Sequence, residues 1–317
     1  MIAFLLHGAT LTLACFTAIN LLLSMLVVWI ARREPRTNSS AFWLALRMLP
    51  AMVAAAFAMI VFVPSYWRYE PRDFVEGIDL SLTAVAIGAL VLLGAGVARG
   101  ASAWTRAKRR GRLWMRTARP IDLGTGRVPA FVVDAPAPIM ALVGVWRPRL
   151  LVTRTLIELL TEEELAASVA HELGHFRAWD NVKRLVIGAA PDLLASTPVA
   201  RAIERRWASA AEHAADRMSG DAPPAIRCAL ASALVKVARL TPPQPMLAEP
   251  ISTLIGGGEI ALRVQILLDD RIVAPVRRRH SLRWLIASIA LGAFALTYGP
   301  LLISVHEITE VLVQALP

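Results

Sequence analysis

Long uncharged apolar runs alternate along this chain with segments of mixed polarity. Residues 1–31 carry no formal charge, and residues 48–67, 80–98 and 284–305 repeat the pattern. Crossing the roughly 30 Å hydrocarbon layer takes about 20 residues, so each run is long enough to span. The pattern predicts four transmembrane helices, at about 3–31, 48–67, 80–98 and 284–305. The first run could be read as a secretory signal, but it lacks a basic leader and exceeds the 7–15 apolar residues such signals use. The span reading is preferred.

Between the third and fourth runs the periodicity changes. Residues 127–134 (RVPAFVVD) and 149–153 are β-rich. A turn-prone Ala135-Pro136-Ala137-Pro138 separates them, and Pro148 suits a strand start or an edge. Helical signals follow. Thr161 with Glu164 three residues on forms a capping box, opening a helix that should run through His175 to about Trp179. A second helix is expected over 199–219 with Gly220 ending it. Residues 241–245 (TPPQP) read as a loop, and Gly256-Gly257-Gly258 precedes a short amphipathic helix at 259–269. Residues 184–200 are broken by Pro191-Asp192 and too short to be a fifth span, so a surface or interfacial hairpin is expected there. The expected fold class is mainly α: a four-span helical membrane protein with an α+β domain, residues 120–275, inserted between spans 3 and 4.

Charge orients this arrangement. Loop one holds Arg32, Arg33 and Arg36. Loop two sets Arg68 and Arg72 against Glu70, Asp73, Glu76 and Asp79, and residues 99–119 carry eight basic residues and no acid. Basic loops stay on the cytoplasmic side. With Arg277, Arg278, Arg279 and Arg283 before the last span, the consistent topology keeps the 99–283 region cytoplasmic. Both termini are then outside, in a bacterial-type inner (cytoplasmic) membrane, leaving 306–317 as a short extracytoplasmic tail. The net charge of +10 is thereby explained by topology and anionic-lipid contact along the juxtamembrane segment 99–119, and direct nucleic-acid binding is not expected. Cys15 and Cys228 form neither a disulfide framework nor a thiolate metal site.

His171-Glu172-Leu173-Gly174-His175 supplies the chemistry. Residues i and i+4 share a helix face, so both imidazoles can reach one ion, and this is the HExxH signature of zinc hydrolases. A catalytic zinc site keeps three protein ligands and an open position. Glu212, on the second helix, is the third ligand. Asp216, one turn on, is the carboxylate placed to fix the tautomer of a ligating histidine. Glu172 is the general base, serving peptide hydrolysis without a covalent intermediate. His213, Arg217 and His280 are the candidates for oxyanion or substrate contact, without a choice among them. His213 is otherwise a solvated or packed side chain. His7, His280 and His306 sit at membrane ends, and Asp180-Asn181 could cap or orient the motif helix.

The run 147–181 (RPRLLVTRTLIELLTEEELAASVAHELGHFRAWDN), with Pro198 and the Glu-x-x-x-Asp-Arg segment at Glu212–Arg217, resembles the BlaR/MecR family of membrane zinc peptidases, antirepressor-type gluzincins. The resemblance implies a zinc endopeptidase, with Zn2+ as cofactor, that cuts a cytoplasmic repressor or a membrane-associated protein in regulatory signalling. Self-cleavage and a homo-oligomer belong to the same expectation. The sensor domain that follows the fourth span in that family is not expected here, an aromatic before Pro198 is replaced by Ser196-Thr197, and Ala215 stands where the family often has Cys. A membrane quality-control or processing peptidase of the heat-shock or prenyl-protein type also pairs HExxH with a later Glu-x-x-x-Asp. It usually places spans between the two halves, which the broken 184–200 segment argues against. A non-catalytic signalling scaffold would have no use for Glu172.

Overall fold

The computed structural model describes residues 1–35, 37–72, 80–135, 138–220, 224–240, 251–253, 260–269 and 280–314, excluding the side chains of 218–220, 251–253, 280–289 and 314. Pro136 and Ala137 in the turn, the 241–245 loop and Gly256–Gly258 fall outside the described residues.

Among the described residues, four helices are long and apolar enough to cross a bilayer: Ile2–Arg32, Ser40–Tyr69, Leu80–Trp114 and Ala290–Val313. This is the signature of a multi-pass membrane protein. The first is α1 (Ile2–Arg32). The second comprises α2 (Ser40–Phe57), a π-helical turn (Ala58–Phe62) and α3 (Val63–Tyr69). Pro64 explains part of this irregularity. It has no N–H to give the carbonyl of Ile60, one turn earlier. That carbonyl instead accepts a 2.6 Å hydrogen bond from Tyr298 Oη on the last helix, α11 (His280–Gln314). A freed backbone group in a membrane span is thus satisfied by a neighbouring span. Ser65 Oγ donates to Leu302 O in the same seam.

The third crossing helix, α4, continues from Leu80 to Trp114. The basic segment expected after residue 98 is therefore mostly rigid helix, because its Arg, Lys and Ala residues are good helix formers. Similarly, α11 extends to Gln314, beyond the expected end of the last span.

A five-stranded sheet follows, from β1 (Arg119–Ile121), β2 (Ala130–Val133), β3 (Met140–Val143), β4 (Arg149–Thr153) and β5 (Ile251–Thr253), in the order β1-β2-β4-β3-β5. Among the described strands β2–β4 pair in parallel and the others antiparallel. The two β-rich segments read in the sequence are β2 and β4. β4 is internal, so Pro148 marks a strand start and not an edge. Alternate residues serve the two faces. Met140, Leu142, Leu150 and Val152 pack into the main core with Leu156, Val169, Leu230 and Leu234. Ala141, Val143, Leu151 and Val133 face Ala107, Trp114 and Met115 of the α4 extension.

The remaining helices are α5 (Arg154–Leu159), α6 (Glu162–Ala178), α7 (Asp180–Ala189), a 3-10 turn (Leu193–Ser196), α8 (Pro198–Gly220), α9 (Pro224–Leu240) and α10 (Ile260–Leu268). The 184–200 segment, expected as a surface or interfacial hairpin, comprises most of α7, the 3-10 turn and the start of α8. It docks on the spans. Asn20 Nδ2 donates to Pro191 O and Asn20 Oδ1 accepts from Leu193 N. Arg99 donates to the carbonyls of Gly188 and Ala190. A Cβ on Gly96 would lie 2.6 Å from Ala189 O, so only glycine permits this approach.

Candidate metal centre

Helix α6 begins as its sequence dictates. Thr161 Oγ1 accepts from Glu164 N, and Glu164 Oε2 accepts from Thr161 N at 2.9 Å. Glu164 also takes hydrogen bonds from Ser232 and Lys236 of α9, at 2.6 and 2.7 Å. The cap therefore fastens α6 to the helix behind it. Burial works against the charge of Glu164, yet Lys236, Ser232 and the Thr161 amide together hold its carboxyl below the ordinary value.

Two and three turns further along α6, His171, Glu172 and His175 are fully buried, as is Glu212 of α8. Gly174 makes this meeting possible: a Cβ there would sit 3.3 Å from Ala215 Cα, against the turn that carries Glu212. His171 Nε2 lies 3.4 Å from Glu212 Oε2, and His175 Nε2 lies 3.5 Å from Glu212 Oε1. Both Nδ1 atoms turn to carboxylates, with His175 2.8 Å from Asp180 Oδ2 and His171 2.9 Å from Asp216 Oδ1. Asp180 reaches back because Trp179 adopts a left-handed backbone (φ 59°) that ends α6 and starts α7 in a new direction.

Whether this donor set fits a metal can be tested on its own atoms. His175 Nε2, both oxygens of Glu212 and both oxygens of Glu172 are buried without an aligned hydrogen bond among the described residues. Buried polar groups are nearly always paired, and so many orphans at one point call for a cation. With zinc bonds of about 2.0–2.1 Å, neighbouring donors of a tetrahedral site lie about 3.3–3.5 Å apart, which is the separation found. His171, His175 and Glu212 form a metal-competent group. The donor set fits zinc with a position left open.

The electrostatics agree. Burial opposes protonation of His175, but Glu212 and Asp180 overcome it and push the imidazole up to about 10. That proton occupies the place a cation would take. Burial likewise opposes ionisation of Asp216, while His171 and Arg263 hold it at about 2. Burial raises Glu172 above its ordinary value despite the two nearby imidazoles.

Two arginines join the site that the sequence reading did not select. Arg263 of α10, 1% exposed, donates from Nε and a terminal nitrogen to both oxygens of Asp216, at 2.9 and 2.7 Å. Its other terminal nitrogen lies 3.1 Å from Glu212 Oε2. Arg184 of α7 stacks over Trp207 and approaches Glu212 Oε1 to 4.0 Å. Nothing local marks Arg263 except a charge inside an otherwise apolar run, IALRVQILL. Arg184 could have been found as the residue one turn after Asp180.

The sequence candidates divide cleanly. His171, Glu172, His175, Glu212 and Asp216 come together, and Asp180 joins them as an orienting group. His213 does not: it lines a separate hollow with Thr37, Trp43 and Arg206. Arg217 is exposed. Both were expected as oxyanion or substrate contacts, and neither faces the cluster, because one and five residues after Glu212 lie on other sides of α8. His280 starts α11, and its side chain is outside the described set.

Residues 105–244 match Peptidase family M48, a family of zinc metallopeptidases. The matched stretch contains all three candidate ligands and Glu172, and it indicates a metallopeptidase. It ends before Arg263, and it does not reach the narrower BlaR/MecR resemblance. No curated protein matches the chain.

Proposed function

We propose that this chain is a membrane-embedded zinc endopeptidase whose ligands are His171, His175 and Glu212. The observation that carries the reading is the convergence of two Nε2 atoms and one carboxylate beside the buried, unpaired carboxylate of Glu172. Zinc held there would supply Lewis acidity, acidifying water and polarising the scissile carbonyl. Glu172 takes the proton from the attacking water and returns it to the leaving amine. Asp180 bonds Nδ1 of His175 and Asp216 stands 2.9 Å from Nδ1 of His171, an arrangement that leaves both Nε2 atoms to present lone pairs to the ion. Arg184 and Arg263 set cationic groups beside Glu212, and in this reading Arg184, 4.0 Å from Glu212, serves the carbonyl oxygen of the substrate.

In this reading the peptidase domain lies between spans 3 and 4 on the cytoplasmic side. Its substrate is a cytoplasmic repressor or membrane-associated protein cut in regulatory proteolysis. A second reading, processing or quality control of membrane proteins, is favoured by one observation: α7, which carries Asp180 and Arg184, packs directly on the spans.

Proteomes of cells carrying wild type and Glu172→Ala distinguish these. The variant should keep its zinc and lose all cleavage. One or two accumulating substrates support regulation, many misfolded membrane proteins support quality control, and identical proteomes would remove both.

A further inference from the structure

A second set of metal-competent side chains lies far from the first. It joins His306 and Glu310 of α11 to Glu70, the residue that caps α3, with ligand atoms all within 4.8 Å of one another. His306 and Glu310 are four residues apart and share one face of α11, the same relation that brings His171 and His175 together. His306 Nδ1 lies 3.8 Å from Glu70 Oε2, and its ring stacks on Tyr69 with centroids 5.9 Å apart. The stacking keeps a ring nitrogen toward the carboxylate.

The three residues stand at one level of the bilayer. The uncharged run of the second span ends at Trp67 and that of the fourth at Val305. Glu70, His306 and Glu310 follow those ends by about 2–8 Å of helix rise, which keeps them within the polar layer, about 5–8 Å deep, that flanks the hydrocarbon. The bonds from Tyr298 to Ile60 and from Ser65 to Leu302 run in the same order along both helices. The two spans are therefore parallel, and the cluster closes their seam at its far end. Arg47, on the same helix as Glu70, lies about 34 Å before it, which is about the thickness of the hydrocarbon. Arg47 is bonded to α7, and Asp180 of α7 bonds His175. The cluster is thus across the bilayer from the metal centre.

Charge at this end calls for a cation. Two carboxylates meet beside the carbonyl end of α3, where the helix dipole favours positive charge. Arg68 and Arg72 turn instead over the rings of Tyr69 and Trp67. Among the described residues, Glu310 has no hydrogen bond or ion pair. An imidazole with two carboxylates suits a divalent transition metal, whereas calcium and magnesium take oxygen ligands. We propose that Glu70, His306 and Glu310 bind one divalent transition-metal ion on the bilayer face opposite the metal centre. Donors on one tetrahedral ion stand about 3.3–3.5 Å apart, closer than the 3.8 Å between His306 and Glu70. Binding therefore draws the end of α11 against α3 and fastens the fourth span to the helix that carries Arg47.

The probe is Mn2+, added to the full-length, zinc-loaded chain in detergent and followed by electron paramagnetic resonance. Mn2+ ranks below Zn2+ in affinity for such sites and leaves the tightly held zinc in place. One Mn2+ per chain should be immobilised. Glu70→Gln, Glu310→Gln and His306→Ala should each weaken that binding at least tenfold, with zinc content unchanged. Glu307→Gln, exposed beside His306 but outside the cluster, should leave it intact. In wild type, pulsed spectra should show the Mn2+ electron coupled to an imidazole nitrogen, a readout that needs no variant; its absence would contradict His306 as a ligand. Equal loss in Glu307→Gln, or displacement by an equal concentration of Mg2+, would mean diffuse attraction to acidic groups and overturn the proposal. So would Mn2+ that stays immobilised in His306→Ala and Glu310→Gln, or no ion bound by wild type at millimolar Mn2+.

Discussion

Two clusters of buried charge lie at opposite ends of α7, and they resolve the same physical problem in different ways. At the membrane end, Arg47 of α2 is 1% exposed and meets Asp192, with Glu204 at 2.8 Å and Ile187 O completing its partners. Its cation is built into the chain. At the other end, Glu172, Glu212, Asp216 and Asp180 surround two imidazoles. Arg263 bonds mainly to Asp216 and Lys183 to Asp180, which leaves the oxygens of Glu172 and Glu212 without an aligned hydrogen bond among the described residues. There the acceptors outnumber the fixed cations and several remain unpaired. The first cluster is bonded through its own arginine and acts as a structural joint. The second gathers several unpaired acceptors around two imidazoles, which is what a metal site requires.

The comparison breaks first at the joint. Removing one partner of a buried ion pair leaves the other charge without compensation, a cost of about 3–5 kcal/mol. Arg47→Ala should lower stability by that amount in thermal unfolding of the detergent-solubilised, zinc-loaded chain. Arg47→Met combined with Asp192→Asn should recover most of it, since replacing both members of such a pair is often neutral. A single variant as stable as wild type would show that the joint does not hold the spans to α7.

A smaller effect is expected behind the ligands. Asp180→Asn keeps a polar group beside His175 but removes the carboxylate that orients its ring. Zinc affinity measured by chelator competition should fall about 10–100-fold. The fold and the Arg47 joint should be untouched, and unchanged affinity would remove Asp180 from the centre.

The smallest effect concerns the cap of α6. The Glu164 carboxyl is held below its ordinary value of 4.5, with Lys236 and Ser232 among the causes. A depressed folded pKa contributes stability above that ordinary value, and the contribution disappears as pH falls through the folded value. Stability should therefore drop below about pH 4.5. Glu164→Gln should cost about 1–2 kcal/mol at neutral pH, allowing for the half-exposed Lys236, and flatten the acid limb. A parallel acid limb in the variant would place the linkage elsewhere.

These clusters also show what a sequence discloses. The HExxH pentad, the Thr161–Glu164 cap and the Glu212–Asp216 pair were legible because each is an i, i+3 or i, i+4 relation within one helix. The four apolar helices were legible from run length alone. Asp180 was half-visible: its nearness to the motif was plain, but its contact with His175 requires the left-handed Trp179, which few residues adopt. Arg263 was not visible, because its contacts cross 47 positions of chain to Asp216 and 92 to His171. The strand order β1-β2-β4-β3-β5 was hidden for the same reason. The 184–200 segment was legible as too broken to span, but its seat was not, since Asn20, Arg47 and Arg99 of the spans reach it across long stretches of chain.

The central claim is that His171, His175 and Glu212 together hold zinc. Metal analysis of the purified full-length chain, wild type against Glu212→Ala and Glu172→Ala, tests it most directly. The account predicts one tightly held equivalent of zinc in wild type and Glu172→Ala, with loss of that zinc in Glu212→Ala. Undiminished zinc in Glu212→Ala would contradict it.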